Sequence, residues 1–115
     1  MPTSTDPCSR RRRLAAGLVV FVATACATAQ TVSGFGAHKC KDYLAAVEKG
    51  QKAAIDGYIS WAQGYLSAWN ATNPERRDVQ ADPDGLTYWL VDRCGQSRAE
   101  SFYAAVRAFI SVHAR

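Results

Sequence analysis

Few residues in this chain are of types that carry chemistry, and their spacing decides how they are read. Cysteines stand at positions 8, 26, 40 and 94, and histidines at 38 and 113. His38-Lys39-Cys40 has the look of a metal pair, but no second His or Cys spacing completes a ligand set. Ser60 and Ser67 have no histidine at helical spacing to serve as a base. Asp78, Asp82 and Asp84 supply carboxylates without the central Gly and terminal Glu of a calcium loop. No nucleophile, base or metal set is assembled. The chain is therefore expected to be non-enzymatic, with no cofactor and no metal.

The first two cysteines belong to a different part of the chain from the last two. Arg10 to Arg13 form a basic block, Leu14 to Ala23 is uncharged and largely apolar, and Ala27-Thr28-Ala29 has the A-x-A form. These are the three parts of a secretory signal peptide, so 1–29 is read as a leader, cut to leave Gln30 first. The apolar run is short for a membrane span. Lipidation at Cys26 is the alternative, although Ala23 stands where a larger aliphatic residue is usual. The arginine block also has a faint twin-arginine look. Export to the periplasm follows, and with it an oxidising compartment.

Cys40 and Cys94 then remain as an even pair in an exported chain, which reads as one disulfide. Closing so long a loop stabilises by about 4 kcal/mol in the chain-entropy account, a large share for so small a core. Two free buried cysteines are the alternative.

The same removal changes the charge. The chain carries 14 Lys and Arg against 10 Asp and Glu. Four of those cations and one of those acids precede residue 30, so ten cations and nine acids follow, a net charge of +1. No clustered basic face remains, and Arg76-Arg77 is flanked by Glu75 and Asp78. A nucleic-acid partner is not expected.

The elements that must place these residues are helical. Residues 30–38 read as a flexible lead-in. Cys40, Tyr43, Leu44 and Val47 share one helical face over about 39–49, with Gly50 as a C-terminal cap. Ile55, Tyr58, Ile59, Ala62, Tyr65, Leu66 and Trp69 make a longer stripe, opposed by a polar, weakly charged arc. Gly57, Gly64 and Ala68 line one flank, which suggests close approach of another helix. A loop runs from Asn73 to Asp82, where Asp82-Pro83-Asp84 is a helix start. Leu86, Trp89, Leu90 and Cys94 carry the third helix, ended by Gly95. Ser97-Arg98-Ala99-Glu100 reads as a capping box for the last, which carries Phe102, Val106, Phe109, Ile110 and His113. No segment after the leader alternates like a strand. The expectation is an all-α fold, a small compact bundle of about four helices over 39–115, closed by one disulfide.

Aromatic residues are dense for such a domain, and core packing accounts for most of them. Trp61, at the edge of its stripe, Tyr65 beside it, and Tyr88, off its stripe, are the candidates for a partner-binding surface.

Cys40, the segment Trp61-Ala62-Gln63-Gly64-Tyr65-Leu66-Ser67-Ala68-Trp69-Asn70 and Trp89-Leu90-Val91-Asp92-Arg93-Cys94 together resemble small exported proteins grouped with the HdeA/HdeB acid-stress chaperones. That resemblance implies a small helical fold, one disulfide between distant cysteines, and a protein partner in the form of unfolded clients. The chain is also similar to periplasmic immunity proteins of the Rap/Tai kind, which implies a single toxin partner, a type VI secretion effector; a non-enzymatic periplasmic module of another kind is the third alternative. A homodimer is left open, and no membrane association is expected after leader removal.

Overall fold

The computed structural model describes residues 31–114. The leader assigned to 1–29, with its Cys8, Cys26 and cleavage site, lies outside the described residues. Four helices follow a short 3-10 turn at Gly34–Ala37: α1 at Cys40–Glu48, α2 at Lys52–Thr72, α3 at Pro83–Gln96 and α4 at Phe102–His113. Among the described residues there is no strand, only an isolated antiparallel bridge between Lys39 and Ser101. None of these helices is long and apolar enough to cross a membrane.

The helices follow their apolar stripes. α1 buries Cys40, Tyr43 and Ala46, and α2 buries Tyr58, Ile59, Ala62 and Leu66. α3 contributes Leu86, Leu90 and Cys94, and α4 contributes Phe102, Ala105, Val106, Phe109 and Ile110. No polar or charged residue is buried among the described residues. The core therefore rests on apolar transfer and close packing rather than on internal ion pairs.

Cys40 and Cys94 are bonded, with their Cα atoms 5.0 Å apart and a sequence separation of 54. The bond joins the first residue of α1 to the end of α3 in a region that is fully buried. Tyr43 adds a second tie between these helices, its hydroxyl donating to the Thr87 carbonyl at 3.1 Å. Burial is the main reason its phenol is pushed up to about 12.

Helix ends show where local signals prevailed and where they did not. Asp82 accepts from the Gly85 N–H at 3.0 Å with Pro83 at the first position of α3, as the sequence predicts. Gly50, at φ 62°, closes α1 in the left-handed region that glycine adopts without a Cβ penalty. The expected capping box at Ser97 does not cap α4. Ser101 does so, accepting from the Ala104 N–H at 3.1 Å. Glu100 is used otherwise: its carboxylate pairs with Arg93 at 3.0 Å, and its carbonyl accepts from the Cys40 N–H at 2.8 Å. α3 also carries on through Gly95 to Gln96.

Residues 34–38 depart from the flexible lead-in expected there. The compact unit begins at Val32. The Phe102 N–H donates to the His38 carbonyl at 2.8 Å, so 38–40 pairs with 100–102 through backbone on both sides of the bridge. Upstream of that pairing the 3-10 turn lies against α2, with Gly36 buried. Phe35 packs on the core beside Tyr58. A segment of small and polar residues looks mobile in sequence, but this one contains a single large ring that α2 accepts.

The loop from Asn73 to Asp82 is long and has no regular structure. Asn73 ties its start to the Trp69 carbonyl at 2.8 Å, and Asn70 ties its middle. Asn70 donates to the Val79 carbonyl at 3.0 Å and accepts from the Val79 N–H at 2.9 Å, while the Val79 side chain is buried. An asparagine amide presents a donor and an acceptor together, which lets it stand in for a neighbouring strand.

Candidate functional site

Of the three residues predicted for partner binding, two come together. Trp61 and Tyr65, one turn apart on α2, stack with ring centroids 5.6 Å apart and planes 14° from parallel. Tyr65 meets the edge of Tyr103 from α4 at 5.4 Å. Arg107, four residues along α4, donates to the Tyr103 hydroxyl at 3.0 Å and lies over its ring at 5.9 Å. The result is a row of Trp61, Tyr65, Tyr103 and Arg107 across the junction of two helices. Both Trp61 and Tyr65 are half-buried, so each packs on one side and presents an edge on the other. Tyr88 stands apart on α3, 76 % exposed.

The row has its own electrostatics. Burial raises the Tyr65 phenol, with its hydrogen bond to Tyr103 adding to the rise. The Tyr103 phenol is held below its ordinary value, first by the Tyr65 hydroxyl and then by the Arg107 guanidinium. The stacking of Trp61 on Tyr65, the edge contact of Tyr65 with Tyr103 and the Arg107–Tyr103 hydrogen bond together restrict these side chains.

The other end of the row is covered. Trp61 donates its indole N–H to the Ser33 carbonyl at 3.0 Å. Its ring lies on Gly36 so closely that a Cβ there would collide with the six-membered ring. One turn back on α2, a Cβ at Gly57 would sit 2.5 Å from the Phe35 ring. The close approach expected at Gly57 is therefore real, but it is made by Phe35 and not by a helix. Gly64, on the same predicted flank, has nothing within 4 Å of such a Cβ. His38 completes the cover, with Nδ1 2.9 Å from the Tyr58 hydroxyl.

The remaining chemistry-bearing residues are dispersed. Among the described residues, no three His, Cys, Asp or Glu side chains gather as a metal site. His113 stacks on Phe109 at 4.0 Å and bonds the Phe109 carbonyl at 2.8 Å. It also borders an open hollow with Arg77, Asp78, Val79 and Gln80. Ser67 donates to the Gln63 carbonyl within its own helix at 2.9 Å.

Sequence reasoning missed Phe35, Gly36, Tyr103 and Arg107. The Gly34-Phe35-Gly36 triplet was a usable signal, since one aromatic between two glycines can approach a helix closely. So was the four-residue spacing of Tyr103 and Arg107. Comparison with family models, curated proteins and solved structures finds no match to this chain.

Proposed function

We propose that this chain is an exported, periplasmic protein-binding module that holds unfolded clients under acid stress, in the manner of the HdeA/HdeB chaperones it resembles. One observation carries the reading. Among the described residues, the only large hydrophobic side chains exposed are Tyr88 and Val112, while an apolar core lies beneath a stapled fold. Surface for unfolded clients is thus withheld while the fold is closed. Residues 30–115 hold ten Lys and Arg and two His, so protonating the carboxylates takes the side-chain charge to about +12. Repulsion at that density loosens a compact fold, and the disulfide limits how far it opens. The reading is of a binding protein, not an enzyme.

The test is functional. Purified protein is mixed with several unrelated acid-labile clients at pH 2, and aggregation is followed by light scattering. The expected result is suppression at near-stoichiometric ratios for more than one client. Clients that aggregate equally fast with and without the protein would sink the chaperone reading.

The row on α2 and α4 favours a second reading. Trp, Tyr and Arg are the residues that dominate binding hot spots, and here they are held in place before any partner arrives. That suits an immunity protein bound to one toxin. Such a protein would protect no general client, would bind its toxin one-to-one at neutral pH, and would be encoded beside an effector gene.

A further inference from the structure

We infer that residues 33–38 form a strap that covers an aromatic binding surface on α2, and that displacing the strap opens this surface to an extended segment bearing an aromatic side chain. The partner's chemistry is read from the strap itself. Phe35 fills a notch made by the missing side chain of Gly57, and small neighbours on either side let its backbone come down onto Trp61. Ser33 supplies a carbonyl to the indole N–H. A protein segment with one aromatic ring among small residues, offering a backbone carbonyl nearby, reproduces each of these contacts. Unfolded chains present such segments and most folded ones do not. In this respect the inference rests on the client-binding reading above.

The strap is built to move separately from the bundle. Residues 38–40 are tied by backbone hydrogen bonds to 100–102. Among the described residues, no backbone–backbone hydrogen bond joins 33–37 to the helices, and the one from the His38 N–H returns to Phe35 within the turn. Phe35 in its notch, Gly36 against the Trp61 ring, one indole hydrogen bond, the contact of His38 with Tyr58 and packing of the turn on α4 hold the strap, all of them side-chain or packing contacts. Its hinge is therefore His38, where the backbone pairing begins. With the strap away, Tyr58, the Gly57 notch and Trp61 become continuous with Tyr65, Tyr103 and Arg107. The row described above is the uncovered end of a longer surface.

Two substitutions in the full chain open the strap by different routes. Gly57→Ala places a methyl 2.5 Å from the Phe35 ring and expels it, while alanine favours the helix over glycine. Phe35→Ala removes the plug. Gly64→Ala is the control, since its methyl meets nothing. At pH 7, exchange of the Trp61 indole N–H is followed by NMR, and binding of a reduced, alkylated and fluorescently labelled protein by anisotropy. A strap closed about 90 % of the time weakens apparent binding about tenfold. Gly57→Ala and Phe35→Ala are thus expected to speed indole exchange and tighten probe binding by up to about that factor over the unmodified chain and Gly64→Ala. Indole exchange unchanged in Phe35→Ala would overturn the strap. Faster exchange with no gain in probe binding would overturn the binding surface. Client protection at pH 2 by the unmodified chain is scored separately, so failure there removes the acid-chaperone function without imitating either result.

Discussion

Where α1 enters the bundle, covalent and backbone ties act together; where the middle of the loop from Asn73 to Asp82 crosses, one asparagine acts alone. The first region has the Cys40–Cys94 bond, the paired backbone of 38–40 and 100–102, and the Arg93–Glu100 ion pair. The second has two hydrogen bonds between Asn70 and Val79, one donated by each, and the ring contacts of Trp89, Phe109 and His113. Both regions bury apolar side chains. They differ in what survives when packing loosens: a covalent bond persists, whereas hydrogen bonds to one amide are lost together. Partial opening should therefore begin around the loop and stop short of the staple.

The largest effect should come from cutting the staple. Replacing both Cys40 and Cys94 by Ala is expected to cost about 2–5 kcal/mol, a fall of roughly 10–40 °C in Tm. Calorimetry of the double variant measures it, and a Tm within a degree or two of the parent would show that the bond adds nothing to the hold on that region. In the other region, Asn70→Ala strips both partners from the half-buried Val79 backbone and should cost about 1–3 kcal/mol in urea unfolding. Asn70→Asp keeps an acceptor for the Val79 N–H but leaves its carbonyl unpaired, so a loss between those of the parent and Asn70→Ala is expected. Equal losses for the two variants would place the whole effect on the carbonyl.

The smallest effect is at high pH and returns to the stapled region. Tyr43 titrates at about 12 in the fold and near 10 when unfolded, so the unfolded chain gives up its proton first. Its contribution is complete below pH 10 and is lost as pH rises toward 12. Between pH 8 and pH 11 the parent should lose about 1 kcal/mol on this account. Tyr43→Phe should flatten that part of the profile. An identical slope in both proteins would assign it to other tyrosines, such as Tyr58 and Tyr65, which burial also raises.

Legibility from sequence followed the range of the physical signal. The α2 stripe repeats over several turns, so chance placement of Tyr58, Ile59, Ala62 and Leu66 on one face is small, and all four are buried. The Asp82-Pro83 start is local chemistry within one turn, and it holds. The capping box at Ser97 is equally local but gave way, because Glu100 found partners in Arg93 and Cys40 that no short window contains. Gly57 and Gly64 looked alike on one flank. Only one of them has a ring against it, and that ring comes from residue 35.

What the sequence by itself determined is the number of helices, their buried faces and the Cys40–Cys94 pairing. Helical periodicity and an even count of cysteines after residue 30 act through neighbours in the chain or through simple counting. What only the tertiary structure decided is which aromatic residues form a surface. Trp61 and Tyr65 are joined by Tyr103 and capped by Phe35, whereas Tyr88 stands alone. That choice depends on how α4 and residues 33–38 land on α2. Contacts between segments so far apart are set by the packing of the whole core, and no local window of residues encodes them.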